Sequence, residues 1–135
     1  MNKFDIAYIK IALEWSKLSN ANRKKVGSII VKYRMIISDG YNGTPSGFEN
    51  ECEDLNGLTK WYVLHAEANA LTKLASSTQS SKNATLYTTL SPCKECSKLI
   101  LQSGIKRVVY LDEYKNTEGL DLLKKANIDI LQIKL

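Results

Sequence analysis

The chain has one histidine, and it lies in the tripeptide His65-Ala66-Glu67. Cys93 follows the histidine by twenty-eight residues, within Pro92-Cys93-Lys94-Glu95-Cys96. One imidazole and two thiols separated by two residues form a ligand set suited to zinc. Three protein ligands leave the fourth tetrahedral position to water, and zinc lowers the pKa of such a water to about 7. The result is a hydroxide nucleophile at neutral pH. Glu67 stands two residues from the histidine and can take the water proton and pass it onward. The pattern therefore points to metal-assisted hydrolysis.

Each piece alone is ambiguous. A CxxC pair also serves redox chemistry or a structural zinc knuckle, and a lone histidine is commonly a core or surface residue. Together with Glu67 and Pro92 they favour a catalytic zinc with His65, Cys93 and Cys96 as ligands and Glu67 as proton shuttle. The third cysteine, Cys52, could act as a fourth ligand and close the site. That would leave Glu67 without a task, so Cys52 is read as a free thiol.

Such a site needs two junctions aimed at one point. A helix is expected from His65 to Ala75 and another from Cys93 to Gln102, stopped by Gly104. Residues three apart on a helix share a face, so the two sulfurs can converge. A helix start offers free N–H groups and positive field, which favour thiolates. Pro92 suits the position just ahead of such a helix. Around these, Phe4–Leu18 is expected to be helical, with Phe4, Ala7, Tyr8, Ile11, Trp15 and Leu18 as its apolar face. Val26–Tyr33 and Met35–Ser38 read as antiparallel strands, and Gly40–Gly47 as a loop. Glu49–Lys60 reads as an irregular polar excursion. Ala84–Leu90, Arg107–Leu111 and Ile128–Leu135 read as strands, and Leu120–Ala126 as a helix. Strands alternating with helices in the second half imply right-handed crossovers and a partly parallel sheet.

The 135 residues fit a single domain, 1–135. No apolar run approaches the roughly 20 residues of a membrane span, so no membrane association is expected. No signal peptide is expected, and the cysteine pattern suits a reducing cytoplasm. The net charge of +5 suits an anionic partner such as a nucleotide phosphate. Sixteen of the nineteen basic residues are lysines scattered along the chain, so nucleic acid is not expected as a partner.

HxE followed by PCxxC is the general signature of zinc nucleobase deaminases. Over about Ile6 to Ile133 the chain resembles the deoxycytidylate deaminases. The resemblance is carried by Asn22-Arg23-Lys24-Lys25-Val26-Gly27, by Gly40-Tyr41-Asn42-Gly43-Thr44-Pro45-Ser46-Gly47 and by His65-Ala66-Glu67-Ala68-Asn69-Ala70. It continues in Ser91-Pro92-Cys93-Lys94-Glu95-Cys96 and in Val108-Val109-Tyr110 followed by Tyr114.

The resemblance implies an α/β fold, a three-layer α/β/α sandwich with a five-stranded mixed sheet of the cytidine deaminase-like kind. It implies hydrolysis of dCMP to dUMP and ammonia; some members of the family carry a second, structural zinc, but with its one histidine already used this chain is expected to hold one zinc. Asn42 would contact the sugar, the Ala66 N–H the base and Arg23 the phosphate, with Tyr114 over the nucleotide. It further implies a homohexamer, with dCTP and dTTP as effectors near Gly40, Tyr41, Asn42 and Gly43. The alternatives are a deaminase of free cytidine or deoxycytidine, of dCTP or of a polynucleotide base, and, from another class, a non-catalytic zinc-binding module.

Overall fold

The computed structural model describes residues 2–135. Five strands form one mixed sheet: β1 (Gly27–Lys32), β2 (Met35–Tyr41), β3 (Thr85–Leu90), β4 (Arg107–Asp112) and β5 (Asp129–Gln132). Their order is β2-β1-β3-β4-β5. β1 runs antiparallel to both β2 and β3, whereas β3, β4 and β5 are mutually parallel. The helices are α1 (Lys3–Ser16), α2 (Ala66–Ala75), α3 (Lys94–Gln102) and α4 (Glu118–Lys125). The expected α/β/α sandwich is the observed architecture.

Alternation along the strands separates two cores. Ile29 and Val31 of β1, Tyr87 and Val109 pack with Ile9 and Ala12 of α1 on one face. Ile30, Leu86 and Val108 point the other way, into Ala70, Leu74, Ile100 and Leu123 of α2, α3 and α4.

Helix α1 buries a different face from the one its large apolar residues suggest. The buried positions are Asp5, Ile9, Ala12 and Ser16, while Phe4, Tyr8, Ile11 and Trp15 flank them and Leu18 is exposed. Close approach explains the shift. A Cβ on Gly27 would lie 2.1 Å from the Ala12 carbonyl oxygen, so β1 meets the helix where both sides are small. The buried Asp5 is held by Arg107, whose Nη1 and Nη2 each donate to it at 2.8 Å, and by the Tyr87 hydroxyl at 2.7 Å. Arg107 keeps the Asp5 carboxyl down at about 2, against the opposing effect of burial.

β2 is longer than expected and takes in Gly40 and Tyr41, both read from sequence as loop. Gly40 is needed there for packing. A Cβ would come within 2.5 Å of the Ala66 carbonyl oxygen and 2.7 Å of the Ala70 nitrogen. The bare backbone thus lets α2 settle on the strand.

The strand ends define one rim. The register pairs Gly27 with Tyr41, Ser28 with Thr88 and Leu90 with Asp112. Val26, Asn42, Ser91 and Glu113 therefore leave the sheet along the same edge, where the helices carrying His65 and Cys93 begin.

Candidate active site

His65 is the N-cap of α2 and Cys93 the N-cap of α3, each with extended backbone just outside its helix. Both were expected inside the first turn. One step outside, the side chains are free to turn toward each other, and Cys96 comes round from the first turn of α3. The Cys96 N–H donates to the Cys93 sulfur at 3.5 Å, so the helix start itself supports that thiolate. The antiparallel bridge between Gly43 and Leu64 fixes the approach to His65, with hydrogen bonds of 3.1 and 2.8 Å. On the other side, a Cβ on Gly119 would lie 2.4 Å from the Pro92 carbonyl oxygen and 2.8 Å from the Cys93 carbonyl carbon. Without side-chain bulk there, α4 presses directly on the Pro92–Cys93 turn.

The three ligand atoms lie within 4.8 Å of one another. His65 Nδ1 is 3.2 Å from Cys96 Sγ and 3.5 Å from Cys93 Sγ. Nitrogen and sulfur ligands of a tetrahedral zinc stand about 3.6 Å apart, given metal bonds of about 2.1 and 2.3 Å. The residues fit the ion. Cys52 is buried and stands outside this cluster, as a free thiol should. Hydrogen bonding from the Cys96 thiol, then from His65 and the Cys96 N–H, pulls Cys93 down to about 3. The Cys93 sulfur and burial push Cys96 up. A dication is what allows both sulfurs to carry charge together.

Glu67, in the first turn of α2, is 4% exposed. Burial pushes its carboxyl up to about 7, while its own backbone amide and His65 pull the other way. A carboxyl poised near neutrality can both accept and donate a proton at working pH.

A cleft of about 310 Å³ opens over these groups, and Arg23, Asn42, His65, Ala66, Glu67, Cys93 and Tyr114 all line it. The structure therefore gathers the residues singled out from sequence onto one surface, with Cys96 buried just behind. Asn42 is partly committed: its Oδ1 accepts from the Val26 N–H at 2.9 Å and its Nδ2 donates to the Lys24 carbonyl at 2.8 Å. One amide hydrogen and one lone pair remain for a ligand. Of the four residues expected at a regulatory loop, Gly40 and Tyr41 belong to β2 and Gly43 to the bridge with Leu64, and only Asn42 faces the cleft.

Three of the other lining residues brace the mouth of the cleft. Glu53 comes from the polar excursion and accepts the N–H groups of Asn22 and Arg23 at 3.1 to 3.3 Å, bracing the arginine segment. Lys24 pairs with Asp112 across the mouth at 3.5 Å. Ser91 lies under Tyr114. None has a spacing signature, since each acts on backbone or charge far away in sequence.

Residues 2–112 match the family described as cytidine and deoxycytidylate deaminase zinc-binding region. The deoxycytidylate deaminase of Saccharomyces cerevisiae is 37% identical over 139 residues, covering 96% of this chain and 44% of that protein. The chain thus spans less than half the length of the yeast relative. The deoxycytidylate deaminase of Enterobacteria phage T4 is 35% identical, with 93% of this chain and 87% of the phage protein covered. Among solved structures, the dCMP deaminase of cyanophage S-TIM5 in complex with dCMP and dUMP superposes with a TM-score of 0.95 at 45% identity, covering 98% of this chain and 99% of that one. This chain belongs to the cytidine and deoxycytidylate deaminase family.

Proposed function

We propose that the chain catalyses hydrolytic deamination of dCMP to dUMP and ammonia. The observation that carries this is a convergence on one cleft: His65 and the two sulfurs at zinc-ligand spacing, the buried Glu67, and Arg23 at the rim. His65, Cys93 and Cys96 would hold one zinc per chain, and they form a single His/Cys/Asp/Glu cluster of ligand geometry among the described residues. Zinc, when bound, makes water a nucleophile at neutral pH.

Glu67 takes one proton from the attacking water and delivers it to the ring nitrogen, then takes the second from the hydroxyl of the tetrahedral adduct and delivers it to the amino group, which leaves as ammonia. Its burial keeps it close to neutrality in both directions. The Ala66 N–H is among the helix-start amides without an acceptor inside the helix, and it is free to hold the base carbonyl. Asn42 contacts the sugar with its remaining donor and acceptor. Arg23 grips the phosphate with paired hydrogen bonds, and Tyr114 covers the nucleotide.

The same reading extends to assembly, regulation and compartment. Phe48 is exposed and Trp61 is 92% exposed, and with Pro45 and Tyr62 they line one apolar surface that suits burial in a homohexamer. A dCTP or dTTP effector at Gly40–Gly43 would act on His65 through the Gly43–Leu64 bridge. Thiolate ligands and a free Cys52 suit the reducing cytoplasm.

The test is ammonia release from cytidine, deoxycytidine, dCMP, dCTP and single-stranded DNA, with kcat/KM measured for wild type and Arg23→Ala. The wild type should prefer dCMP. The variant should lose roughly ten- to a hundredfold on dCMP and much less on deoxycytidine. Equal losses would remove Arg23 from the phosphate, and a wild type preferring deoxycytidine would remove the nucleotide reading.

A further inference from the structure

Tyr114 sits at the cleft mouth in an irregular segment, 42% exposed, so its place is set mainly by its backbone. That backbone is gripped from below. Ser91 is 3% exposed at the end of β3. Its N–H donates to the Asp112 carbonyl at 2.8 Å, and its Oγ accepts the Tyr114 N–H at 2.7 Å. One residue thus closes a ring around the chain from 112 to 114.

The segment's other side-chain ties are a 3.3 Å hydrogen bond from the Tyr110 hydroxyl to the Glu113 carboxylate and the Lys24–Asp112 ion pair, at 3.5 Å with both side chains more than half exposed. Solvent screens such a pair, and it contributes little. A hydrogen bond made to a nearly fully buried hydroxyl is harder to replace, because a partner lost there is not readily supplied by water. Ser91 is also joined to the metal turn. Pro92, with its restricted φ, is the only residue between Ser91 and Cys93. The position of the sulfur ligand and the position of Tyr114 are therefore fixed by the same short segment.

We infer that Ser91 is a positioning residue, a clasp that ties the 112–114 segment to the metal-ligand turn and sets where Tyr114 stands over the cleft. The inference rests on the reading of Tyr114 as a substrate contact, and its test separates the two. Ser91→Ala removes the Oγ acceptor and leaves the main-chain bond to Asp112 intact. The KM for dCMP should rise about tenfold, the size of effect common for one lost buried hydrogen bond, with kcat within about threefold of wild type and zinc content unchanged. Ser91→Thr restores the acceptor and should bring KM back toward wild type. Tyr114→Ala should raise KM by itself, and Ser91→Ala added to it should raise KM no further.

Hydrogen exchange at the Tyr114 amide tests the clasp without substrate. It should be slow in wild type and in Ser91→Thr and fast in Ser91→Ala. Equal exchange in all three overturns the clasp, as does a Ser91→Ala variant that loses zinc and kcat while keeping its KM. Additive effects of the two alanine substitutions on KM overturn it also. If Tyr114→Ala leaves KM unchanged while exchange follows Ser91 as expected, the clasp stands and Tyr114 is not a substrate contact.

Discussion

Asp5 gives a prediction whose size can be worked from geometry. Its carboxylate is 2% exposed, takes two hydrogen bonds from Arg107 and one from Tyr87, and titrates at about 2 instead of the usual 3.8. A group whose folded pKa is depressed stabilises the fold above its unfolded pKa. That stability is lost as pH falls toward the folded value. The difference corresponds to about 2 kcal/mol above pH 5, of which roughly half is gone by pH 3. Asp5→Asn removes the titrating charge and leaves Arg107 with only the more distant Asp129, at 3.6 Å. The variant should be less stable than wild type by about 3 kcal/mol at pH 6, because a half-buried guanidinium loses its main partner. The gap should narrow by about 1 kcal/mol at pH 3. Urea unfolding of both proteins at the two pH values measures this. Zinc release in acid affects both and cancels in the difference. A gap that stays constant between pH 6 and pH 3 would refute the linkage, and a gap below about 1 kcal/mol at pH 6 would refute the ion pair as a stabilising element.

Glu67→Gln should fold and keep its zinc yet lose at least 10²-fold in kcat, since the amide cannot accept and return a proton; steady-state kinetics with metal analysis decides, and activity within about tenfold of wild type would remove Glu67 from proton transfer. Cys96→Ala should lose most of its zinc while Cys52→Ala keeps it, as read by elemental analysis of the purified proteins. Gly119→Ala should cost about 1–3 kcal/mol in urea unfolding and weaken zinc retention against a chelator, because its Cβ would press on the Pro92–Cys93 backbone; a chelator profile unchanged from wild type would show that α4 does not support the ligand turn.

The cluster of His65, Cys93 and Cys96 was legible in the sequence because its parts are local. His65 with Glu67, and Cys93 with Cys96, are spaced so that a single helix start presents each pair. The partly parallel sheet could be anticipated in outline from the alternation of strands and helices. The face of α1 was not legible, since its large apolar residues outline the contact while Asp5, Ala12 and Ser16 form it. That choice depends on Gly27 in another element and on Arg107 about a hundred residues away in the chain. Gly40 reads from sequence as a turn residue because glycine in a turn-rich run has that meaning locally. Its role as a bare spot under α2 appears only when the helix is in place. Glu53 and Ser91 hold backbone N–H groups, and a hydrogen bond to a remote amide leaves no pattern in residue spacing.

The ring nitrogen of His65 that faces the sulfurs is Nδ1. A metal ion held at Nδ1 would leave the proton of the neutral ring on Nε2. Since no other histidine occurs in the chain, the imidazole region of a nuclear magnetic resonance spectrum contains a single spin system. Its chemical shifts need no assignment, and metal loading, acid release and exchange with other divalent ions become visible in the intact protein from one pair of carbon-bound protons.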